Sequence, residues 1–270
     1  MLNKENRKKK PLPFDKYAYY SQAVQSPGED VKFYQHVYKQ ARGGRKARTL
    51  REDFCAAGAI SCEWVKLSPQ NVSIGLDLDQ EPMNYGLEHY VSALTPSQQS
   101  RVQLIQKNVL SPNLPKADIA VAVNFSYFFF KQREMLKEYF ANAYSSLNKD
   151  GLFVIDIFGG TQCTAIIEDR TVHKNFTYYW DQQSFDPVTN EAYFEIHFRI
   201  KGKKYEGVFS YDWRMWSIPE MKELMHEVGF KDTLVYWEGT DRKGRGNGLF
   251  SKVTEGEECE SWIAYIAGVK

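Results

Sequence analysis

The sequence predicts a doubly wound α/β sheet of seven strands, preceded by N-terminal helices and interrupted by an inserted antiparallel β region. Three observations predict this fold. After Gly43-Gly44, short apolar runs alternate with amphipathic helical stretches, which is typical of βαβ units. After Gly159-Gly160 the residues alternate in period two, as in antiparallel strands. Beyond this insert, two further apolar runs complete the main sheet.

The first half of the chain is predicted as helices followed by βαβ units. Two N-terminal helices are expected within residues 14–25 and 31–41, and Ser26-Pro27-Gly28-Glu29 between them has the pattern of a capping box. Strands are expected at residues 48–52, 72–77, 102–106, 118–124 and 152–157. Helices are expected between them at residues 59–67, 81–94 and 133–147. The last four strands are nearly continuous apolar runs, as buried parallel strands are.

The second half is predicted as an antiparallel insert and a short return to the main sheet. The insert is placed at residues 172–214, with strands at residues 176–182, 193–200 and 205–213. A final helix at 219–228 and strands at 233–237 and 262–267 follow, and the two strands flank a glycine-rich loop at 239–248. The chain therefore divides into a disordered basic tail, 1–13, and one domain, 14–270.

The composition is that of an ordinary globular protein. The 270 residues have a net charge of +1, 43% hydrophobic residues and 26% charged residues, near the averages for soluble domains. No apolar run reaches the roughly 18 residues of a membrane-spanning helix, and no secretory signal is recognisable, so a cytoplasmic location is expected. The four cysteines are too scattered for a zinc site or a disulfide framework, so no metal is expected.

Two basic clusters stand out against the balanced charge. One lies at residues 4–10 and the other at residues 42–48. Because runs of like charge are usually exposed, we interpret them as a solvated tail and a solvated loop. Binding to nucleic acid is therefore not expected.

The end of the first strand is predicted to bind part of a nucleoside-containing ligand. The strand leads through a loop of small residues into a helix that starts near Ala59, and such a helix start presents free N–H groups to an anion. The second strand ends at Asp77, where a carboxylate can accept hydrogen bonds from both ribose hydroxyls.

At these residues the sequence resembles the class I S-adenosylmethionine (SAM) dependent methyltransferases, over residues 14–270. The first motif of that family is an acidic residue followed by G-x-G-x-G. Registered on Gly58, its positions fall on Glu52, Phe54, Ala56 and Gly58, so two of the three glycines are replaced. A bulky residue tolerates the left-handed region poorly, so a negative φ is expected at Phe54.

The resemblance also implies a set of cofactor contacts. They would be made by Glu52, Phe54, Ala56, Gly58, Asp77, Leu78, Asn108, Val109 and Asn124. Glu52 would receive the methionine ammonium group, and Asp77 would hold the ribose. The side-chain carbonyl of Asn108 can accept from the adenine amino group while the N–H of Val109 donates to a ring nitrogen.

The substrate pocket is expected where the fourth strand ends, in Asn124-Phe125-Ser126-Tyr127. DNA and amide N-methyltransferases have an N-P-P-Y type motif there, and both prolines are replaced, so methylation of that kind is disfavoured. Related enzymes suggest that residues 14–42 form a lid and that the insert covers the substrate. Pocket candidates are Asn124, Phe125, Tyr127, Tyr20, His197 and Arg214. His197 could be a general base, but the sequence does not identify one.

The resulting hypothesis is transfer of the SAM methyl group to a small molecule by in-line displacement. One alternative is a methyltransferase that acts on RNA or protein and docks through the basic clusters. Another is a nicotinamide-dependent oxidoreductase, because a carboxylate after the second strand also suits NAD, although G-x-G-x-x-G is absent. The third alternative is a non-catalytic binding protein with the same fold. No oligomeric state is predicted.

Overall fold

The computed structural model describes residues 12–242 and 244–270. Of the predicted basic tail, residues 1–11 lie outside the described residues. The helices are α1 (Lys16–Val24), α2 (Pro27–Ala41), α3 (Ala59–Lys66), α4 (Gln80–Gly86), α5 (Pro96–Gln99), α6 (Arg133–Ser145) and α7 (Ile218–Val228). The strands are β1 (Thr49–Asp53), β2 (Val72–Asp77), β3 (Val102–Gln106), β4 (Ala117–Ala122), β5 (Leu147–Gly159), β6 (Ile167–Val172), β7 (Thr177–Asp186), β8 (Glu191–Ile200), β9 (Lys203–Arg214), β10 (Asp232–Thr240), β11 (Gly246–Val253) and β12 (Trp262–Val269). None of the helices in these ranges is long and apolar enough to cross a lipid bilayer.

The main sheet confirms the predicted doubly wound fold. Its strand order is β11-β10-β12-β5-β4-β1-β2-β3. Strands β1 to β5 are parallel, and β12 is antiparallel to both of its neighbours, β5 and β10. Since β1 is flanked by β2 on one side and β4 on the other, the strand order reverses at β1. In such sheets a ligand crevice opens beyond the carboxyl ends of the strands at this point.

Helices cover both faces of the sheet and form two separate cores. On one face, α2 and α3 pack through residues such as Tyr34 and Trp64 against β1, β4 and β5. On the other face, α6 and α7 pack through Phe140 and Leu224 against Phe153 and its neighbours in the sheet. The carboxyl ends of the strands, beyond these two layers, are left for the insert and α1 to cover.

The insert is an antiparallel sheet in the order β6-β7-β8-β9. Strand alternation gives it two different faces. One face is aromatic and joins the apolar clusters through Tyr178, Trp180, Phe194, Tyr211 and Trp213. The other face carries Glu168, Asp181, Glu195, His197 and Lys204, which pair with one another. This alternation determines which side chains can reach the crevice of the main sheet.

A buried ion pair fixes β1 against α6. The guanidinium of Arg51 contacts both carboxylate oxygens of Asp53, at 2.7 and 3.1 Å, and neither side chain is exposed. Tyr139 donates to the same carboxylate at 2.9 Å, and Arg51 also donates to the Pro115 carbonyl and to Ser146. Every charge in this network is therefore paired, which a buried ion pair requires if it is not to destabilise the fold.

Two predicted elements differ from those in the structure, because exposed edge strands lack the apolar residues by which buried strands are recognised. Part of the predicted glycine-rich loop belongs to β10, and β11 adds an eighth strand to the main sheet in the described part of the chain. The insert begins at Ile167, because β6 pairs with β7 ahead of the predicted start. Both β6 and β11 are mostly exposed edge strands, so their residues are charged or turn-like rather than apolar.

Two predicted local features, a helix and a helix cap, also differ from the structure. The helix expected at 81–94 consists of α4 and a π-helical turn at Leu87–Val91, and the short α5, which starts at Pro96, follows beyond its predicted end. The capping box at Ser26 does not form, since the Ser26 side chain makes no capping hydrogen bond with any described residue. Its carbonyl oxygen instead accepts from the amides of Glu29 and Asp30.

Candidate active site

The loop after β1 is left-handed at the three positions of the altered glycine motif. The φ angles are 59° at Phe54, 45° at Ala56 and 69° at Gly58, so the negative φ expected at Phe54 is wrong. The Phe54 ring packs edge-on against Phe130 and Tyr139, with centroids 6.0 and 5.5 Å away. This packing offsets the cost of about 1 to 2 kcal/mol for a left-handed residue.

Asp77 holds this loop against the end of β2. One carboxylate oxygen accepts from the Ala56 amide at 2.7 Å, and the other accepts from the Asp79 amide at 2.9 Å. A carboxylate offers about four lone-pair sites, so acceptor capacity remains for a ligand hydroxyl. Asp77 is half-buried and is the last residue of β2, at the carboxyl edge of the sheet where the predicted ribose would lie.

Glu52 is buried below the same loop. It is 4% exposed, and one carboxylate oxygen accepts from the amide and hydroxyl of Ser61, at 2.8 and 2.6 Å. Burial raises its pKa from 4.5 to about 7, against the opposing effect of the Ser61 hydrogen bonds. The group can therefore change its charge near neutral pH when a cation approaches.

The predicted adenine region lies at the ends of β2 and β3. Leu78 is 63% exposed, although it is apolar and follows a buried strand. The Asn108 side-chain oxygen accepts from the Leu110 amide at 2.9 Å, so its carbonyl oxygen is already used once, in a local turn. The Val109 amide, in contrast, donates to no acceptor among residues 12–242 and 244–270.

Asp156 on β5 fixes the turn that follows β4. Its two carboxylate oxygens accept from the amides of Asn124 and Phe125 at 2.6 and 2.9 Å, and both of those residues are left-handed. Burial raises the pKa of Asp156 to about 7. The sequence reasoning did not identify this residue. The available signal was a single carboxylate inside the apolar run of the fifth strand.

A cavity of about 200 Å³ opens beside this turn. Its walls come from α1, the turn after β4, the end of β5, the aromatic face of the insert, and the start of β12. The aromatic side chains that line it are Tyr20, Phe125, Phe158, Tyr178, Trp180, Tyr211 and Trp213. The polar side chains that line it include Asn124, Gln162, Asp169, Gln182 and Ser261. Asp169 carries the one charge among the described lining residues.

The tyrosine hydroxyls in the cavity interact with one another. The hydroxyl groups of Tyr20 and Tyr211 influence each other's pKa, and burial raises the pKa of Tyr20 to about 12. The pKa of Tyr178 is also raised by burial. All three phenols are therefore neutral at physiological pH and can serve a ligand as hydrogen-bond donors or acceptors.

The predicted pocket residues fall into two groups. Tyr20, Asn124 and Phe125 line the cavity, whereas Tyr127, His197 and Arg214 do not. Tyr127 is fully buried and donates to the Asp156 carbonyl oxygen at 2.9 Å. Arg214 donates to the Lys131 carbonyl and lies 3.8 Å from the centroid of the Trp216 ring. His197 is on the charged face of the insert, so strand alternation directs it away from the cavity.

A cluster of possible metal ligands lies on that charged face, at Glu168, Asp181 and His197. The Nδ1 atom of His197 accepts from the Gly207 amide at 2.9 Å, and its Nε2 atom is 3.0 Å from Asp181. A neutral imidazole whose Nδ1 lone pair is used in this way carries its proton on Nε2, so it has no lone pair for a metal. Lys204 also pairs with Glu168. We interpret the cluster as structural.

Helix α1 and the residue before it contact both α4 of the main domain and the antiparallel insert. Tyr85 of α4 donates to Asp15 at 2.7 Å, and Lys16 pairs with Glu81 at 3.0 Å. On the other side, Tyr19 and Tyr20 pack against aromatic rings of the insert, with centroids 4.6 and 5.0 Å from Phe176 and Phe209. No residue of α1 is fully buried. The helix therefore roofs the crevice and covers a small apolar cluster of the insert, Phe176, Ile196 and Phe198, while it takes no part in the two cores of the main sheet.

The sheet order, with its antiparallel strand β12 between β5 and β10, is that of the class I SAM-dependent methyltransferase fold. One similar structure is a SAM-dependent methyltransferase from Clostridium acetobutylicum, with 15% identity and a TM-score of 0.64, covering 93% of this chain and 96% of that chain. Another is the amino pentose methyltransferase of calicheamicin biosynthesis from Micromonospora echinaspora, with 14% identity and a TM-score of 0.64, covering 95% of this chain and 98% of that chain. A third is the CcbJ methyltransferase from Streptomyces caelestis, with 15% identity and a TM-score of 0.65, covering 92% of this chain and 98% of that chain.

No protein-family model matches the sequence, and no curated protein matches it either. At these low identities, the likeness to the solved structures establishes the fold.

The buried Glu52 carboxyl predicts a stability change that depends on pH. In the folded protein its pKa is about 7 rather than 4.5. Between these pH values the folded state binds more protons than the unfolded chain, so the free energy of unfolding decreases as pH rises from 4.5 to 7. At pH 8 the wild type contains a buried negative charge that Glu52→Gln removes. We expect this variant to have a higher melting temperature than the wild type at pH 8 and little difference at pH 5.

Thermal unfolding between pH 5 and pH 8 checks this prediction, with the exposed Glu257→Gln as the control. An equal gain for Glu52→Gln at both ends of the range would mean that the charge of Glu52 is not the cause.

Proposed function

We propose that the protein is a SAM-dependent methyltransferase that acts on a small-molecule acceptor. The observation that carries the proposal is the arrangement at the switch point of the sheet. There, the half-buried carboxylate of Asp77 ends β2, the Val109 amide, which has no acceptor among the described residues, follows β3, and an aromatic cavity opens beside the turn after β4. The methyltransferase fold gives this arrangement its chemical interpretation.

The residues after β1, β2 and β3 fit the parts of SAM. Asp77 would hold the ribose hydroxyls with its remaining lone pairs, and Glu52 would receive the ammonium group. Exposed Leu78 would cover one face of the adenine, while the Val109 amide donates to a ring nitrogen. The Asn108 carbonyl oxygen keeps one further lone pair for the adenine amino group.

The protein's contribution to transfer would be alignment and exclusion of water. SAM supplies an electrophilic methyl group to a nucleophilic lone pair by in-line displacement. Phe125 and Trp213 would orient the acceptor beside the crevice, and aromatic faces attract a positively charged group by about 0.5 to 2 kcal/mol. Asn124, held in place by Asp156, lies where the two ligands would meet. None of the described lining residues is a histidine or a lysine, and we assign the one lining carboxylate, Asp169, to binding, so we assign no general base.

An amine is the acceptor that the cavity fits best. Asp169 pairs with no cation in the described ranges, and it lies directly opposite Trp180 in the β6–β7 pair. A carboxylate beside aromatic faces attracts an ammonium group. The amino pentose enzyme and a sugar N-methyltransferase from a Streptoalloteichus species are among the proteins with similar folds. The acceptor's proton would have to leave to solvent before the nitrogen can react.

The alternative substrates have less support. The basic residues at 42–48 precede β1, at the opposite end of the sheet from the cavity, so they would not bring a macromolecule directly to it. The helix start after β1 lacks the three-glycine pattern of dinucleotide-binding sites. A cytoplasmic location remains a prediction.

The proposal predicts that SAM binding depends on Asp77. Asp77→Asn should weaken SAM by at least tenfold, because two charge-assisted hydrogen bonds of about 1.5 to 3 kcal/mol each become weaker. Calorimetric titration with SAM measures this loss, and titration with NAD tests the oxidoreductase alternative. Asp79→Asn, which removes the same charge two residues away, is the matched control. Because Asp77 also holds the Ala56 loop, melting temperatures must show that both variants are folded.

The amine assignment predicts a specific effect at Asp169. With labelled SAM and a panel of amino sugars and their hydroxyl counterparts, we expect label in the amines. For an amine that is methylated, Asp169→Asn should raise KM about tenfold and leave kcat nearly unchanged, as loss of uniform binding does. Glu168→Gln, on the other face of the same strand, is the control. Preferential labelling of the hydroxyl compounds would contradict an amine acceptor.

We also propose that α1 is a lid over both ligands. Opening of α1 would break its polar contacts with α4 and uncover the small apolar cluster of Phe176, Ile196 and Phe198, but it would leave the two cores of the main sheet intact. Limited proteolysis should cut the segment between Phe14 and Gln25 faster in the free protein than with S-adenosylhomocysteine, whereas α2, which is part of a core, should resist in both states. Tyr85→Phe, which removes the hydrogen bond to Asp15, should accelerate cleavage further. Equal rates with and without ligand would leave α1 as a fixed part of the fold.

A further inference from the structure

A second concave site lies at the opposite end of the sheet from the proposed active site. It is a groove of about 560 Å³ between α2, the segment that leads into β1, and the turn between α3 and β2. The groove lies before Thr49, whereas the crevice lies beyond Asp53. At about 3.3 Å per residue, the length of β1 separates the two sites by about 16 Å.

The groove is strongly basic. Five basic side chains line it, and no acidic side chain does: Lys32, Lys39, Arg45, Lys46 and Arg48. Lys32 pairs with Glu29, and Arg45 pairs with Asp150. In the part of the chain that the structure describes, no carboxylate pairs with the other three. With a net charge of +1 for the whole protein, this concentration of positive charge is a local feature.

The first wall of the groove is held in a fixed shape by hydrogen bonds between side chains and the backbone. Gln35 of α2 donates to the Ala47 carbonyl at 3.0 Å and accepts from the Ala47 amide at 2.9 Å. The next residue, Arg48, donates its amide to Asp118 at 2.8 Å, and its carbonyl accepts from the Trp64 indole at 3.0 Å. The backbone that carries Lys46 and Arg48 is therefore anchored on both sides, while their side chains stay exposed.

The opposite wall is fixed by one arginine. Arg101 donates to the carbonyls of Val65 and Ser68 at 3.0 Å, and also to that of Asn71. This wall presents the polar side chains of Ser68 and Gln70 to the groove. A groove with two anchored walls needs little reorganisation to bind a ligand, which lowers the entropic cost of binding.

We propose that this groove binds a ligand through a run of consecutive phosphate groups. Lysine and arginine are the side chains that bind phosphate by charge-assisted hydrogen bonds. No phenylalanine, tyrosine or tryptophan is among the described lining residues, so the groove offers no surface on which a base could stack. Recognition therefore rests on the phosphates, which either a free polyphosphate or the backbone of a single-stranded RNA can supply.

The test compares two variants of the full chain with equal net charge. The groove variant is Lys39→Gln, Lys46→Gln and Arg48→Gln, and the control is Lys174→Gln, Lys231→Gln and Lys252→Gln, which are exposed elsewhere. The probes are inorganic tripolyphosphate, followed by calorimetry, and a fluorescent 12-nucleotide oligouridylate, followed by anisotropy. SAM binding and melting temperature, measured in parallel, show whether each variant is intact.

We expect the groove variant to lose at least tenfold in affinity for a probe that the wild type and the control bind equally well. For the oligonucleotide, the slope of log affinity against log salt should fall by about 2. Binding of tripolyphosphate would identify free polyphosphate as sufficient, and binding of the oligonucleotide alone would identify the nucleic-acid backbone. Equal losses in the two variants, or no binding of either probe by the wild type at low salt, would overturn the proposal.

Discussion

The site depends on carboxylates that hold left-handed turns at the ends of neighbouring strands. Asp156 on β5 binds the amides of Asn124 and Phe125 after β4, and Asp77 on β2 binds the amide of Ala56 after β1. Left-handed geometry costs a non-glycine residue about 1 to 2 kcal/mol, and hydrogen bonds to a charged group contribute about 1.5 to 3 kcal/mol each. The carboxylates thus stabilise turns that glycine-poor sequences would otherwise avoid.

The main sheet supplies half of the site, and the added elements supply the other half. The turns after β1 and β4 are fixed from below by buried groups, including the Arg51–Asp53 pair that anchors β1 to α6. The aromatic cavity, in contrast, exists because the insert turns its aromatic face towards Phe125 and α1 covers the opening. The part that would bind SAM is therefore rigid, whereas the part that would choose an acceptor is built from elements that can vary independently.

The parallel strands could be predicted from sequence because burial on both faces makes them continuous apolar runs, as in β4. The strands β6 and β11 could not, since edge strands are exposed and their composition resembles that of loops. The left-handed Phe54 was missed because its cost is offset by packing against Tyr139, which is distant in sequence. Asn124 and Phe125 could be placed near the cavity from motif position, and Tyr20 from the expected N-terminal lid. For His197, the strand register was needed to decide the face.

Helix α1 contacts α4 on one side and the insert on the other. Two ligands bound side by side beneath it, one in the crevice and one in the cavity, would therefore both contact α1. If the first ligand to bind fixes α1, the second no longer bears the entropic cost of ordering that helix. The two affinities would then be coupled positively, and by the same factor in each direction. Such heterotropic cooperativity would make the protein respond to the simultaneous presence of both ligands more steeply than to either alone.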